Sequence, residues 1–278
     1  MSSIRKSSGF LYETHLHTCE GSPCSISPGR DYIKRYLDLG YSGIIITDHF
    51  YRGNCEVERS LKWKQWVHNF CIGYESAKEE GARRGLDVFF GWEETIRFVD
   101  YLVYGLDKEW LLYHPEVSRW TIKKQYHEVK RYGGCVVQAH PFRASNHTFC
   151  AFLSPECIDA VEVANAGNMR EDDALAMAYA KKINIPITAG SDIHYVENIR
   201  KTSTFGVYLK EKMKTISDYV DSVKNNTILG LKIPSGRCDL QGNEQLSLPV
   251  HILDRRGHKT EKELWEVLDI QNNFASSI

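Results

Sequence analysis

Two histidines that could bind a metal, His15 and His17, stand two positions apart directly after a short apolar run. In an extended chain, residues i and i+2 point to the same side, so both imidazoles can reach one point in space. Imidazole is a common ligand of divalent metals. An isolated H-x-H pair is weak evidence, because exposed strands carry such pairs by chance. The pair is therefore a candidate metal site that needs support from other residues.

Other residues of the types that bind metals also stand at the ends of strand-like runs. Asp48 and His49 follow GIIIT, with His49 the better ligand candidate, Glu93 ends DVFFGWE, and His140 follows CVVQA. Asp192 and His194 form a second i, i+2 pair after ITAGS. A carboxylate such as that of Glu93 is costly to bury without a partner, and a position between two metal ions would supply one. A purely structural explanation would need several independent coincidences, so the residues predict a metal centre.

The elements that would position these residues follow from the spacing of apolar side chains. The predicted strands are Phe10–His15, Gly43–Thr47, Asp87–Gly91, Asp100–Gly105, Cys135–Gln138, Ala160–Val163 and Pro186–Ala189. The predicted helices are Pro28–Leu39, Ser60–Arg84, Thr121–Tyr132 and Glu171–Lys182. This alternation predicts an α/β fold with a parallel sheet, either a barrel or an open doubly wound sheet. Both architectures place functional residues at the carboxyl ends of the strands, where the candidate ligands lie.

The residues from about position 210 onward carry fewer chemically informative motifs. They predict a helix over Thr215–Lys224, a strand over Leu248–Leu253 and a charged closing helix near Glu261–Leu268. We therefore predict a barrel with the metal site over residues 1–209, and a C-terminal extension packed on the barrel over residues 210–278.

Composition narrows the class of protein. With 35 Lys and Arg against 36 Asp and Glu, the chain lacks the basic excess of a dedicated nucleic-acid binder, and long nucleic acids are not expected as partners. The eight cysteines form no C-x-x-C pair, and Cys19 and Cys24 are minor ligand candidates beside the H-x-H pair. The first residues lack the apolar core of a signal peptide, and no apolar stretch approaches the roughly 18 residues of a membrane span. We expect a cytoplasmic protein with reduced thiols and no membrane association, and the sequence indicates no oligomeric state.

The candidate residues occur in five ordered motifs: H-x-H, T-D-H, G-x-E, A-H-P-x-R and G-S-D-x-H. From Glu13 to His194, this order resembles the PHP family, the polymerase and histidinol phosphatase domain. The resemblance implies a distorted (β/α)7 barrel, similar to a TIM barrel, with a site for up to three metals. It also implies phosphoesterase activity, which is what free-standing members of the family have.

The resemblance implies a ligand set residue by residue. A first ion would be held by His15, His17, Glu93 and Asp192, a second by Glu93 and His140, and a third by His49 and His194. The segment Asp159–Asn165 also resembles the family, with Glu162 and Asn165 near the site. The ions would be two or three of zinc, manganese or iron.

Two departures from the family pattern leave alternatives open. The family commonly has a further His between the G-x-E and A-H-P motifs, where this chain offers Asp100 or Asp107 as the substitute. A further ligand for the third metal often follows H-x-H, and Glu20 is the strongest oxygen ligand in that stretch.

The chemistry that these residues predict is hydrolysis of a phosphate ester by a metal-activated water. Arg143 is the best candidate for holding the phosphate, because a guanidinium pairs with two phosphate oxygens. Arg97, Arg170 and Asn165 could make further substrate contacts. The candidate catalytic residues are Glu93, Asp192, His194 and Arg143.

The substrate is expected to be a small phosphomonoester, with histidinol phosphate as one possibility. One alternative is a metal-dependent hydrolase of another bond class, similar to an amidohydrolase, since H-x-H with a late Asp suits that type too. Another is a non-catalytic metal-binding module. The additional His49, His194 and the arginine of A-H-P-x-R favour the phosphoesterase.

Overall fold

The computed structural model of the 278-residue chain describes residues 9–143, 150–242, 244 and 248–269. Within these ranges the strands are β1 (Phe10–Glu13), β2 (Gly43–Ile46), β3 (Asp87–Ile96), β4 (Val99–Tyr104), β5 (Cys135–Gln138), β6 (Ala151–Leu153), β7 (Ala160–Asn165), β8 (Ile187–Gly190), β9 (Gly206–Leu209), β10 (Gly230–Lys232), β11 (Pro249–Leu253) and β12 (Lys259–Glu263). The α-helices are α1 (Tyr32–Asp38), α2 (Trp63–Phe70), α3 (Ile72–Arg84), α4 (Lys108–Tyr113), α5 (Ile122–Arg131), α6 (Arg170–Ile183), α7 (Ile216–Lys224) and α8 (Leu264–Leu268).

Nine of these strands form one sheet that curls into a nearly closed barrel, in the order β10-β9-β1-β2-β3-β4-β5-β7-β8. The chain segments that follow β1 and β8 meet across the opening of this sheet. There Leu16 and Ile193 form an isolated parallel bridge, and the His17 N–H donates to the Ile193 carbonyl at 3.0 Å. The predicted α/β barrel is therefore confirmed.

The prediction of a wholly parallel sheet is wrong at two places. β4 runs antiparallel to both β3 and β5, and β9 runs antiparallel to β1 and β10. β3 continues to Ile96, five residues beyond the predicted end, and only Arg97 and Phe98 separate it from β4. Both turn residues have positive φ, 52° and 69°, which is the backbone geometry of a two-residue hairpin loop. A hairpin therefore joins β3 to β4, and this connection makes β4 antiparallel in a sheet that was predicted to be parallel.

The barrel interior changes from polar to apolar along β4. On β4, Asp100, Leu102 and Tyr104 are every second residue, so their side chains point to the same face of the sheet. Leu102 and Tyr104 are fully buried in a cluster that also contains Tyr12 and Leu209. This cluster, which we call the apolar floor, fills one end of the barrel, and the candidate metal ligands lie at the other.

The helices pack around the sheet. The predicted helix Ser60–Arg84 is divided near Cys71 into α2 and α3. Its aromatic residues pack in the core as the sequence predicts, with Trp66 and Phe70 buried against Phe50. No helix among the described residues has both the length and the apolar character needed to cross a bilayer.

A second sheet, β12-β11-β6, joins the C-terminal residues to the barrel. β11 pairs parallel with β6, which lies in the connection after β5, and β10 extends the main sheet beside β9. Strands from residues 210–269 thus belong to both sheets. The division of the chain at 209/210 stays a prediction.

Candidate metal centre

The chain that carries the H-x-H pair leaves the sheet earlier than predicted. β1 ends at Glu13, whose carboxylate accepts the His15 N–H at 3.1 Å and so turns the backbone. Leu16 then pairs with Ile193 in the parallel bridge, which keeps the residues on either side of it extended. His15 and His17 therefore share one side, with both side chains fully buried and their Nε2 atoms 3.1 Å apart.

Two carboxylates complete a four-residue set around these imidazoles. Asp192 Oδ1 lies 3.4 Å from His15 Nε2 and 2.9 Å from His17 Nε2. Glu93 Oε1 lies 3.5 Å from His15 Nε2, and Glu93 Oε2 lies 3.6 Å from His17 Nε2. In a tetrahedral site with bonds of about 2.1 Å, ligand atoms stand roughly 3.4 Å apart. The distances that His15 and His17 make to each other and to the two carboxylates, 2.9–3.6 Å, are close to this value.

Glu93 faces two further histidines with its two oxygens. Oε1 lies 3.1 Å from His140 Nε2, and Oε2 lies 2.7 Å from His49 Nδ1. The second pair does not meet hydrogen-bond geometry, and neither atom has another hydrogen-bond partner among the described residues. Two buried polar atoms that face each other in this way would be costly without a shared partner. A cation between them would satisfy both, so the residues present fit divalent metal ions.

Among the described residues, four sets of three bring possible ligand atoms together, and two of these sets include Asp100 or His194. Ligand atoms within 4.8 Å of one another are offered by His15, His17 and Glu93, by His15, His140 and Asp192, by Glu93, Asp100 and His140, and by His17, His49 and His194. These sets share members, so the centre is one continuous cluster with room for more than one ion.

Of the two alternative aspartates, the structure places Asp100 in the cluster and Asp107 away from it. β4 is antiparallel, so its first residues, not its last, lie beside the ends of the parallel strands. Asp107 instead caps α4 by accepting the Trp110 N–H at 2.8 Å. Glu20 also lies outside the ligand sets, where its carboxylate accepts the Gly29 N–H at 3.1 Å.

Neighbouring groups fix which ring nitrogen faces the cluster at three of the histidines. Glu162 Oε1 lies 3.0 Å from His15 Nδ1, and Ser22 Oγ lies 3.2 Å from His17 Nδ1. Both contacts keep the proton on Nδ1, which leaves Nε2 free as a ligand atom. His194 Nδ1 similarly donates to the Asp192 carbonyl at 2.8 Å. The resemblance placed Glu162 near the site, whereas nothing in the sequence pattern singled out Ser22.

Asp48 supports the loop after H-x-H and does not belong to any ligand set. It accepts hydrogen bonds from the Thr18 N–H at 2.6 Å and from Ser22 Oγ at 2.8 Å. Ser22 Oγ also accepts the His49 N–H at 3.0 Å, so one carboxylate ties the T-D-H segment to the H-x-H segment.

Cys24 is a contact that sequence reasoning ranked low. Its thiol faces His194 and His49 at the edge of the three-histidine set. Burial raises the pKa of the thiol, but hydrogen bonding to His194 and His49 and the positive charges of both imidazoles together lower it to about 6.

Neighbouring charges shift the pKa values of the cluster in both directions. Burial opposes protonation of His15 and His49, but Asp192 raises the pKa of the first and Glu93 that of the second well above the ordinary value. Burial alone would raise the pKa of Glu93, but His49 and His15 hold it well below its ordinary value. Burial likewise opposes ionisation of Asp192, and His15 with Arg143 lowers its pKa well below the usual range. Burial, then the charge of His49, lower the pKa of His17 to about 3. Ionised carboxylates and a neutral imidazole are the forms that bind metals.

Two candidate ligand residues have backbone conformations that non-glycine residues rarely adopt. φ is 27° at His140 and 53° at Asp192, both in the left-handed region. Strain of this kind concentrates at functional sites. Beside them, a Cβ on Gly190 would lie 2.4 Å from His15 Cβ, so only glycine allows β8 to approach the H-x-H segment this closely.

The three candidate arginines lie in different places. Arg143 is beside the cluster: its Nη1 donates to Asp192 Oδ2, its Nη2 to Asn165 Oδ1 at 2.6 Å, and its Nε to Asn168 Oδ1 at 2.8 Å. Arg97 is in the β3–β4 turn and donates to the Gly257 carbonyl at 3.2 Å.

Arg170 and Asn165 complete the substrate candidates. Arg170 begins α6 and donates to the Asp239 carbonyl at 2.6 Å. Asn165 ends β7 and donates to Glu162 Oε2 at 2.9 Å while accepting from Arg143. The structure therefore brings Asn165 and Arg143 to the cluster, and gives Arg97 and Arg170 partners elsewhere.

Comparison with known proteins supports the fold. No family model matches the sequence, and no curated protein matches it significantly. A two-domain protein from Bacteroides vulgatus, containing a predicted PHP-like metal-dependent phosphoesterase, matches with a TM-score of 0.58 and 17% identity over 80% of this chain. This chain spans only 64% of that protein's length. PsfC from Pseudomonas syringae matches with a TM-score of 0.54 and 16% identity, over 82% of this chain and 93% of PsfC. The chain therefore shares the barrel fold of a structure that contains a PHP-like phosphoesterase, which is the fold that its five ordered motifs predict.

Proposed function

We propose that this protein is a metal-dependent phosphoesterase of the PHP type that hydrolyses a small phosphomonoester. The observation that carries the proposal is the position of Glu93. Its carboxylate is 1% exposed and directs Oε1 toward His140 and Oε2 toward His49, while both oxygens also lie near the H-x-H pair. A carboxylate placed in this way between histidines on several sides suits a bridge between two ions better than a single ion pair.

The ligands would be distributed over two or three ions of zinc, manganese or iron. His15, His17, Glu93 and Asp192 would hold the first, Glu93, His140 and Asp100 the second, and His49 with His194 the third. Divalent ions at such a centre supply Lewis acidity, which makes a water acidic near neutral pH and offsets the negative charge of a phosphoryl group.

Arg143 would bind and orient the phosphate. Three of its five N–H groups are engaged by described residues, Asp192, Asn165 and Asn168, which fix the guanidinium plane beside the cluster. The other N–H groups of Nη1 and Nη2 would donate to phosphate oxygens, which a planar guanidinium matches well. Asn165 is hydrogen-bonded to both Arg143 and Glu162, and Glu162 contacts His15. Asn165 would therefore fix the position of the phosphate-binding guanidinium relative to His15.

The direct test is elemental analysis of the purified protein, followed by hydrolysis of p-nitrophenyl phosphate with and without added manganese. We expect two or three ions per chain and turnover that disappears on chelation and returns with metal. A panel of phosphomonoesters that includes histidinol phosphate would then rank substrates, with amide substrates assayed in parallel. Bound metal with hydrolysis of amides only, or no metal after reconstitution, would contradict the proposal. The cytoplasmic location that we propose can be checked by fractionating cells that produce the protein.

A further inference from the structure

A cavity of about 410 Å³ opens directly beside the metal centre. Its lining includes Asp100 and His140, which belong to one of the ligand sets, and Arg143. This volume lies in the range of pockets that hold small organic molecules. A phosphate held by Arg143 would therefore have the rest of its molecule at the mouth of this cavity or inside it.

The other walls of the cavity are mainly apolar and come from separate parts of the chain. The β3–β4 turn contributes Phe98, β6 contributes Phe152, and α6 contributes Leu175. Leu248, just before β11, adds a lining residue from the C-terminal part of the chain. The rings of Phe98 and Phe152 contact each other with centroids 5.2 Å apart. Apolar side chains arranged around a cavity favour an apolar or aromatic ligand group over a sugar or a charged chain.

The charged lining residues restrict the ligand further. Apart from Asp100 and Arg143, the charged side chains among the described lining residues are Glu171 and Asp172. Both are acidic, so they would repel a second anionic group on the ligand. A polyphosphate or a nucleic-acid strand would meet this repulsion, whereas a neutral or cationic organic group would not.

We propose that this cavity binds the alcohol part of the substrate, which is a compact apolar or aromatic group without further negative charge. This proposal rests on the proposed phosphoesterase function and deepens it. It gives the second sheet a role: β6 supplies Phe152 to the cavity, and β11 pairs with β6 through Phe152 itself. The C-terminal residues thus support a wall of the substrate pocket.

The test compares benzyl phosphate with ethyl phosphate, whose alkoxide leaving groups are of similar reactivity. We expect the wild-type protein to have a higher kcat/KM for benzyl phosphate. Phe152→Ala should lower the benzyl-to-ethyl ratio of kcat/KM about ten-fold, because a ring that contacts the ligand is lost. Phe98→Gly should do the same, and glycine suits the φ of 69° at this position, so the variant should fold. A matched control is Phe10→Ala, which removes an exposed ring at the start of β1 and should leave the ratio unchanged.

A benzyl-to-ethyl ratio that both cavity variants leave unchanged would overturn the proposal while the phosphoesterase function stands. Absence of hydrolysis of every ester would overturn the proposed function instead. The cavity would then be tested by calorimetric binding of benzylphosphonate, which requires no turnover. Binding about ten-fold weaker in both variants than in Phe10→Ala would support the cavity as a site for aromatic groups, and equal binding would exclude it. A carboxylate added to the ring of the phosphonate should weaken binding, and equal affinity would contradict the role of the acidic lining.

Discussion

The two ends of the barrel differ in how their buried polar groups are satisfied. At the apolar floor, the Tyr104 hydroxyl donates to the Thr14 carbonyl at 2.7 Å, and the Tyr12 hydroxyl accepts the Met213 N–H at 2.8 Å. At the metal end, Glu93 Oε2 and His49 Nδ1 face each other without a hydrogen bond. The same strands therefore contribute a self-sufficient core at one end and an incomplete polar cluster at the other.

This difference separates stability from function. A buried phenol that is hydrogen-bonded needs nothing more from a ligand, and its loss would affect folding alone. A cluster of imidazoles and carboxylates with unpartnered atoms gains its missing interactions from cations. Substitutions at the two ends should consequently change different measured quantities, and the predictions below test that separation.

The largest expected effect is that of Glu93→Gln. Glutamine keeps the shape but loses the charge and one metal-binding oxygen, so the variant should lose bound metal and phosphatase activity together. We expect kcat/KM to fall about a thousand-fold or more, ~4 kcal/mol of transition-state stabilisation, since metal catalysis supplies several kcal/mol. Elemental analysis and phosphatase assays measure these two losses, and circular dichroism checks that the variant stays folded.

The neighbouring Glu94 provides a matched control for this substitution. It is also buried, but it lies on the opposite face of β3 and pairs with Arg52, 3.4 Å away. Glu94→Gln should keep the full metal content and most of the activity. If Glu93→Gln retained its metal, or if Glu94→Gln lost it equally, the cluster would not be the metal site.

The next effect concerns the apolar floor. Leu209 on β9 is 3% exposed and pairs with Phe10, at the end of the barrel away from the histidines. Leu209→Ala should lower the free energy of unfolding by about 2–5 kcal/mol, because it leaves a cavity in a packed core. The folded variant should bind the same number of metal ions as the wild type. Urea unfolding of the metal-free protein measures the first quantity, and a change in metal stoichiometry would argue against separate roles for the two ends.

A smaller effect is expected at Glu162, which contacts a ligand instead of a metal. Its carboxylate holds His15 Nδ1 at 3.0 Å, and Glu162→Gln would replace this charged acceptor by an amide. Loss of such a partner typically weakens metal binding about 10- to 100-fold. Competition with a chelator of known affinity measures this change. An unchanged affinity would mean that Glu162 does not orient His15 for metal binding.

The sequence predicts the features of the structure that depend on local interactions, and it does not predict those that depend on contacts between distant segments. The strand ends before His49 and His140 follow from apolar runs and are predicted to within one residue, whereas β3 runs past Glu93 to Ile96, five residues beyond its predicted end. The role of Ser22 depends on contacts with His17 and Asp48, which are brought together only by the folded barrel. Apolar periodicity cannot report such contacts.

The direction of β4 was missed for a different reason. It depends on the turn at Arg97 and Phe98, where both φ angles are positive. Such turns are usually signalled by Asn or Gly, and neither residue type occupies these two positions. A parallel β4 would have placed its carboxyl end, near Asp107, at the metal centre. The antiparallel β4 places Asp100 there instead, so one unrecognised turn decides between the two candidate ligands.

That choice can be tested with the smallest pair of changes. Asp100→Asn removes one negative charge from the set formed with Glu93 and His140, and should weaken binding of one ion about ten-fold, because ligand charge tunes affinity. Asp107→Asn makes the same substitution at the helix cap, where asparagine serves as well as aspartate, so neither stability nor metal affinity should change. Metal titration of both variants and the wild type measures the difference. If Asp107→Asn bound one ion more weakly and Asp100→Asn bound all ions as the wild type does, the assignment would be reversed. That result would imply that β4 runs in the opposite direction. Equal affinities in all three proteins would show that the second ion is held by Glu93 and His140 without an aspartate from β4.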